Sequence, residues 1–271
     1  MKPKEVAEGI FSTKTLARIE NHEQIPAVDK FVRLLSRLNV TFDEFLFYAG
    51  DDMKRRSSLK LEMTEVLRRM DLARTKALRK KVSAYLEEEP ELYLQHMADL
   101  LKAVEATIVN HDFEAAKEHL TGIVRYLDMD EWYEYELGLF NNIFHFYDYQ
   151  TAKSLCEKAV RTLQKKTAYF KDIELSYSIY NNFALKALEE GEFEDAYAAI
   201  KAAMDFPVST KAMYGRIVAK IIHQIISFRL EKPDYNEKEL QNYLDFFRFM
   251  DMPHITHGFL ALAREHGWKN Q

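Results

Sequence analysis

Apolar positions recur at three- and four-residue intervals along nearly the whole chain, while strict alternation of β-branched and polar residues is almost absent, so the pattern predicts an all-helical protein. Residues 1–49 break into short helices. A helix over 2–8 starts at Pro3, turns Val6 and Ala7 inward and ends at Gly9. Ser12 has the position of a cap for a second helix from Thr13 to about Asn21, with Leu16 and Ile19 inward and Thr13, Lys14, Ala17 and Arg18 outward. A third helix follows Pro26, with Val28, Phe31, Leu34, Leu35 and Leu38 inward. Thr41 and Glu44 form a capping box ahead of Phe45, Leu46 and Phe47. Ala49-Gly50-Asp51-Asp52 supplies a stop, which places a linker at 50–55. Residues 56–81 then read as one long basic helix with Leu59, Met63, Val66, Leu67, Met70, Ala73 and Leu78 along a face.

The remainder repeats. HDFEAAK at 111–117, DYQTAK at 148–153 behind Tyr147, and GEFEDAY at 191–197 place Phe113, Tyr149 and Phe193 at intervals of 36 and 44 residues. A weaker fourth string, PDYNEKE, puts Tyr235 another 42 residues on. Ala116, Ala152 and Ala196 each follow their aromatic residue by three, so ring and small residue share a helical face where a neighbouring helix can approach closely. The strings mark the turn and early part of the second helix of a hairpin. They resemble tetratricopeptide-type repeats, whose signature is Gly, any residue, aromatic, two residues, Ala. Three of the four units lack the glycine, and the last has Lys238 in place of Ala. The resemblance implies a right-handed superhelix of stacked hairpins over 56–271, closed by the amphipathic segment THGFLALAREHGWKNQ.

Composition narrows the function. With 47% apolar residues the chain has enough material for a sizeable core. A single cysteine, Cys156, excludes an internal disulfide and a cysteine-based structural zinc site. Neither a secretory leader nor a long apolar span is evident, so the expectation is a cytoplasmic protein with no membrane partner. The net charge of −5 conceals an uneven distribution: residues 54–81 hold eleven bases and three acids, a net of +8, while the chain beyond 81 is at −11. A basic end on an acidic body suits contact with a polyanion on one side only, or is a solvated basic helix without such a partner.

The order helix, tight turn, helix over 2–21 is that of a helix-turn-helix. Lys14 would donate to guanine acceptors and Thr13 would reach a base edge, while Lys4, Ser12 and Arg18 are placed for phosphates. The plain alternative is a small helical cap with ordinary polar groups. The segment KEVAEGIFSTKTLARIENHEQIPAVDKFVRLLSRLNVTFDEF resembles the DNA-binding domain of the Rgg, GadR and MutR family of transcriptional regulators. The family joins a Cro/repressor-type helix-turn-helix, here 1–49, to a helical repeat array. Ser12, Thr13, Lys14 and Arg18 fall on its capping and recognition-helix positions. The resemblance implies a cytoplasmic homodimer on double-stranded DNA, with a repeat domain that dimerises and senses a short signalling peptide in quorum sensing. The family normally carries a further helix ahead of the position of Lys4. A chain that starts at Met1 is therefore expected to leave Val6, Leu16, Ile19 and Leu35 with less cover.

In the repeat half, Asn141-Asn142 and Asn181-Asn182 interrupt apolar stretches, where a mid-helix asparagine costs helix propensity and needs polar partners if buried. The resemblance implies that they hold an effector's backbone, with Phe140, Phe144, Tyr180 and Phe183 reading its side chains; alternatively both pairs bond to neighbouring turns. Arg216, Lys220 and His223 follow one helix face and are candidates for a peptide carboxylate. Enzymatic readings are weak. His111-Asp112 begins a repeat turn, His254 and His257 do not complete a zinc shell, Cys156 has no locatable histidine partner, and GxxxxGK is absent, so no cofactor or metal is expected. The competing functional class is a repeat module that binds peptides or proteins without sequence-specific DNA binding.

Overall fold

A computed structural model describes residues 1–49, 51–110, 112–165, 173–206 and 212–268. Among these residues there are fifteen α-helices, one 3-10 turn and no strand, as the periodicity requires. The chain divides into two compact units, Met1–Ala84 and Tyr85 onward.

The first unit opens with α1 (Pro3–Ala7), α2 (Thr13–Glu20), α3 (Val28–Leu38) and α4 (Phe42–Ala49). Gly9, at φ +68°, reverses the chain after α1 in a conformation that costs a side-chain-bearing residue a steric penalty. Ser12 caps α2, its Oγ accepting from the Thr15 amide at 3.0 Å. The Thr41 box is also formed: the Glu44 amide donates to Thr41 Oγ1 at 3.1 Å, and the Thr41 amide to Glu44 Oε2 at 2.7 Å. Ala7, Ile10, Leu16, Leu34 and Leu35 are buried in this unit, so Leu16 and Leu35 keep their cover, while Val6 and Ile19 are half-buried. The inward assignment of Val28 and Leu38 is wrong: they are 77% and 41% exposed, being the first and last residues of α3 and outside its packed middle.

The single helix expected over 56–81 is two helices, α5 (Asp51–Arg69) and α6 (Leu72–Glu88). Met70 adopts φ +48°, and Asp71 restarts the helix by accepting from the Arg74 amide at 2.7 Å. An aspartate at a helix start competes with the backbone for its own amides, which is why apolar spacing alone ran the two helices together. Lys81 Nζ returns to Glu62 Oε1 at 2.5 Å, joining the two arms as a hairpin. Leu59, Met63, Val66 and Leu78 are buried, whereas Met70 and Ala73 sit exposed at the turn. Residues 51–55 of the expected linker belong to α5, Gly50 lies outside the described residues, and the division between units falls within α6.

The second unit is built of hairpins: α7 (Leu92–Asn110) with α8 (Phe113–Tyr126), α9 (Glu134–Ile143) with α10 (Tyr149–Lys165), α11 (Ile173–Glu189) with α12 (Phe193–Met204), and α13 (Met213–Arg229) with α14 (Glu237–Phe249). Phe113, Tyr149 and Phe193 are the first residues of α8, α10 and α12, and Ala116, Ala152 and Ala196 are wholly buried. The alanines thus act alike, at points where one helix lies against the next. The rings do not. Phe113 is 52% exposed, while Tyr149 stacks on Phe183 at 6.2 Å and donates to Asp195, and Phe193 meets His266 at 5.6 Å. Tyr235 precedes α14 and packs against Phe228 at 5.2 Å. α15 (Pro253–Glu265) covers the last hairpin, with Thr256 Oγ1 donating to the Leu244 carbonyl at 3.1 Å and buried Trp268 donating to Tyr235 Oη.

Candidate functional site

Two surfaces collect the residues singled out by sequence, one in each unit. On α2, Thr13, Lys14, Ala17 and Arg18 are exposed, opposite buried Leu16. Lys4 is exposed on α1. The Ser12 hydroxyl is engaged twice, by the Thr15 amide and by Thr15 Oγ1 at 2.8 Å, so its first task is to start the helix. Arg18 lies 3.9 Å from Glu23, and with both side chains more than half exposed that pair holds the guanidinium only weakly. Sequence reasoning missed Arg33 and Arg37. Arg33 donates to the Gly9 carbonyl at 2.9 Å, and Arg37 to the carbonyls of Glu5 at 3.1 Å, Val6 at 3.3 Å and Glu8. Two cations from α3 thereby satisfy the free carbonyls at the end of α1 and fix the elbow that presents α2. Their signal was an i, i+4 arginine pair on an otherwise amphipathic helix.

In the second unit, α9, α11 and α13 pack side by side as the first helices of successive hairpins. Along α9, Leu137, Phe140 and Ile143 point into the core, and the half-open residues Tyr135, Gly138, Asn141 and Asn142 occupy the opposite arc. Asn182 Nδ2 of α11 donates to Asn141 Oδ1 at 3.0 Å. Among the described residues nothing else bonds the Asn141 amide nitrogen or the Asn182 carbonyl oxygen, and Asn142 makes no side-chain hydrogen bond. On the other flank of α9, Tyr135 Oη shares a 2.8 Å hydrogen bond with His96 Nδ1, and the Tyr93 ring lies 6.2 Å from the Tyr135 ring. Burial pushes the His96 pKa below the usual histidine value, so the imidazole is held neutral. The open arc therefore runs from an aromatic wall, across a glycine, to amide groups with spare donors and acceptors. Tyr93, His96, Tyr135 and Gly138 were not picked out from the sequence; the contacts that bring Tyr93 and His96 to Tyr135 span 39 residues or more.

The other candidates do not join this arc. Asn181 is 5% exposed and donates to the Gly215 carbonyl at 3.0 Å, so within its pair one asparagine ties α11 to α13 and the other faces outward. Phe144 is fully buried, with Phe140 at 5.4 Å and Phe183 at 6.4 Å; it fills the core and presents no surface to a ligand. Tyr180 is likewise buried, against Phe206, and its burial pushes the hydroxyl pKa up to about 12. Arg216 donates to Tyr177 Oη at 2.7 Å and to the Phe206 and Met204 carbonyls at 3.1 and 3.4 Å, closing the end of α12. Lys220 goes to Tyr243 Oη at 3.0 Å and His223 to Asp234 at 3.1 Å, so Arg216, Lys220 and His223 do not converge on one point. Burial would raise the Asp234 pKa, yet hydrogen bonds from Tyr197 and Ser227 and the nearby His223 and Lys201 bring it down to about 2. His111 lies outside the described residues.

Among the described residues no group of three or more His, Cys, Asp or Glu side chains is gathered for a metal ion, and no helix is long and apolar enough to cross a membrane. Burial raises the Cys156 thiol pKa to about 12, which leaves it protonated and unreactive.

Residues 75–260 match the family described as the C-terminal domain of the HTH-type transcriptional regulator Rgg. Solved structures share the fold. A candidate transcriptional regulator from Listeria monocytogenes EGD-e aligns with a TM-score of 0.79 at 18% identity, over 98% of this chain and 92% of that one. The SHP pheromone receptor Rgg2 of Streptococcus dysgalactiae gives 0.75 at 17% identity, over 98% and 95%. Bacillus thuringiensis PlcR, solved with the peptide PapR7 and DNA, gives 0.67 at 16% identity, over 96% and 93%.

Proposed function

The chain belongs to the Rgg family of transcriptional regulators, which are not enzymes, and from that premise we propose that it binds DNA through α2 and senses a short peptide on the open face of α9 and α11. The observation that carries the reading is the capped, outward-facing α2, whose Thr13, Lys14 and Arg18 stand clear of the core while Leu16 anchors the helix beneath them. A helix so held matches the shape and charge of a major groove, with Lys14 suited to guanine acceptors and Lys4 and Arg18 to phosphates. A homodimer in the cytoplasm would present two such helices about 34 Å apart, or at a multiple of that spacing. The spare amide groups of Asn141, Asn142 and Asn182 suit the alternating donors and acceptors of a peptide backbone, and PlcR, of similar fold, is solved with both a peptide and DNA.

Selection of duplexes from a random 30-base-pair pool, followed by titration over a salt series, tests the DNA half. A regulator retains preference for the selected duplex as salt weakens phosphate contacts, and Lys14→Ala with Arg18→Ala removes that preference without unfolding the chain. Equal binding of selected and random duplexes by the unmodified protein would instead identify a repeat module without sequence-specific DNA binding.

A further inference from the structure

Gly138 stands in the middle of α9, five residues into a ten-residue helix. A glycine there weakens a helix relative to alanine, so it calls for a reason. Four other described glycines have reasons in the fold, while Gly122 in α8 and Gly258 in α15 share its ordinary φ and have no neighbour nearer than 4.0 Å. Gly9, Gly191 and Gly267 have positive φ, and at Gly215 an added Cβ would meet Tyr177 Cβ at 2.6 Å. Gly138 has neither: its φ is ordinary, and no other element among the described residues comes within 4 Å of the place a Cβ would take; its position between the Tyr135 ring and the asparagine amides is what sets it apart from Gly122 and Gly258. That place is open, half-exposed, and at the centre of the α9 arc, one turn before Asn141 and Asn142 and one turn after Tyr135. On one side lies the Asn141–Asn182 amide pair; on the other, the Tyr135 ring with His96 and Tyr93.

We propose that Gly138 is the platform on which the main chain of the effector peptide rests, its missing side chain letting that backbone come within hydrogen-bonding reach of the asparagine amides. The inference rests on the peptide-sensing reading above and deepens it, since it fixes where the ligand runs and requires an extended backbone at that point. An extended segment offers its N–H and C=O groups sideways, towards the amides of Asn141, Asn142 and Asn182, and its side chains up and down. A methyl group at 138 would hold such a segment off by more than a hydrogen bond tolerates.

The test uses the full chain and a library of synthetic random heptapeptides, from which the unmodified protein enriches binders by co-purification and mass spectrometry. The tightest enriched peptide, labelled with fluorescein, is then titrated against Gly138→Ala, Asn182→Ala and Asn141→Ala, and each variant is melted without peptide. The expected result is that Gly138→Ala raises Tm by about 2–4 °C, as an unneeded helix glycine should, while peptide affinity falls at least tenfold. The asparagine variants also lose affinity. If they lose affinity and Gly138→Ala binds as tightly as the unmodified chain, the platform is wrong and the sensing reading stands. If the peptide binds all three variants normally, or the library yields no binder, the sensing reading fails and the platform with it. A Tm that falls in Gly138→Ala also overturns the proposal, since the glycine would then serve the fold itself.

Discussion

Gly215→Ala is expected to act in the opposite sense to Gly138→Ala, and its magnitude follows from the crossing of α11 and α13. The new Cβ would lie 2.6 Å from Tyr177 Cβ, 3.2 Å from its Cγ and 3.0 Å from Glu174 Oε1. Both carbons sit at the root of their side chains, so no rotamer change relieves the clash and the helices must part by roughly 1 Å to reach ordinary van der Waals separation. Two hydrogen bonds cross this seam: Asn181 Nδ2 to the Gly215 carbonyl at 3.0 Å and the Gly215 amide to Glu174 Oε1 at 3.1 Å. A displacement of that size breaks both, and the Asn181 carbonyl oxygen is already buried without a partner among the described residues. Overpacking costs about 1–3 kcal/mol, and stranding the Asn181 amide about 1–3 kcal/mol more. The gain in helix propensity returns about 1 kcal/mol. A net loss of about 1–5 kcal/mol lowers Tm by roughly 2–20 °C for a domain of this size. Thermal melting and urea titration of the full chain measure it. An unchanged or raised Tm would refute the tight-crossing argument.

Smaller effects are expected elsewhere. Ser12→Ala should cost about 0.5–2 kcal/mol by removing the α2 cap, seen as faster hydrogen exchange of the Thr15 amide, with Ser12→Asp restoring protection. Met70→Gly should stabilise the first unit by up to about 1 kcal/mol, because it relieves a left-handed residue whose side chain is 42% exposed; a urea midpoint that moves down would contradict this. Burial lowers the pKa of His223, against the opposing pull of Asp234, so the unfolded chain takes up its proton first as pH falls. The associated stability is present above about pH 6.5 and declines as pH drops below it. Unfolding free energies measured from pH 7.5 to 5.5 should therefore fall, and His223→Gln should flatten the slope; an equal slope in that variant would remove His223 as the cause.

Much of this was legible because it is local. Ser12, the Thr41-Glu44 box and the alanines after the repeat aromatics each depend on neighbours within a few residues, and all occur where spacing put them. What failed was either a break or a long-range contact. Apolar spacing continued through Met70-Asp71, so only the aspartate's liking for free amides could have announced the hairpin. Phe144 and Tyr180 read as surface because they flank asparagines, yet large rings gain most by burial, and the core took them. Arg216 looked available as a free cation until the end of α12 supplied two carbonyls, Met204 and Phe206. On α9 the glycine, the amides and the tyrosine sit within eight residues. Their meaning as one arc needed α11 and the His96 side of the array, which no short window contains.

The grip of Arg33 and Arg37 on the carbonyls after α1 has a mechanical corollary. Because α3 clasps the elbow that leads into α2, any force that turns α3 must carry α2 along as a stiff body. If α2 reads DNA as proposed, regulation exerted at that point would re-aim that helix whole and leave its tip unbent, and its output would be a changed spacing between two copies on a duplex.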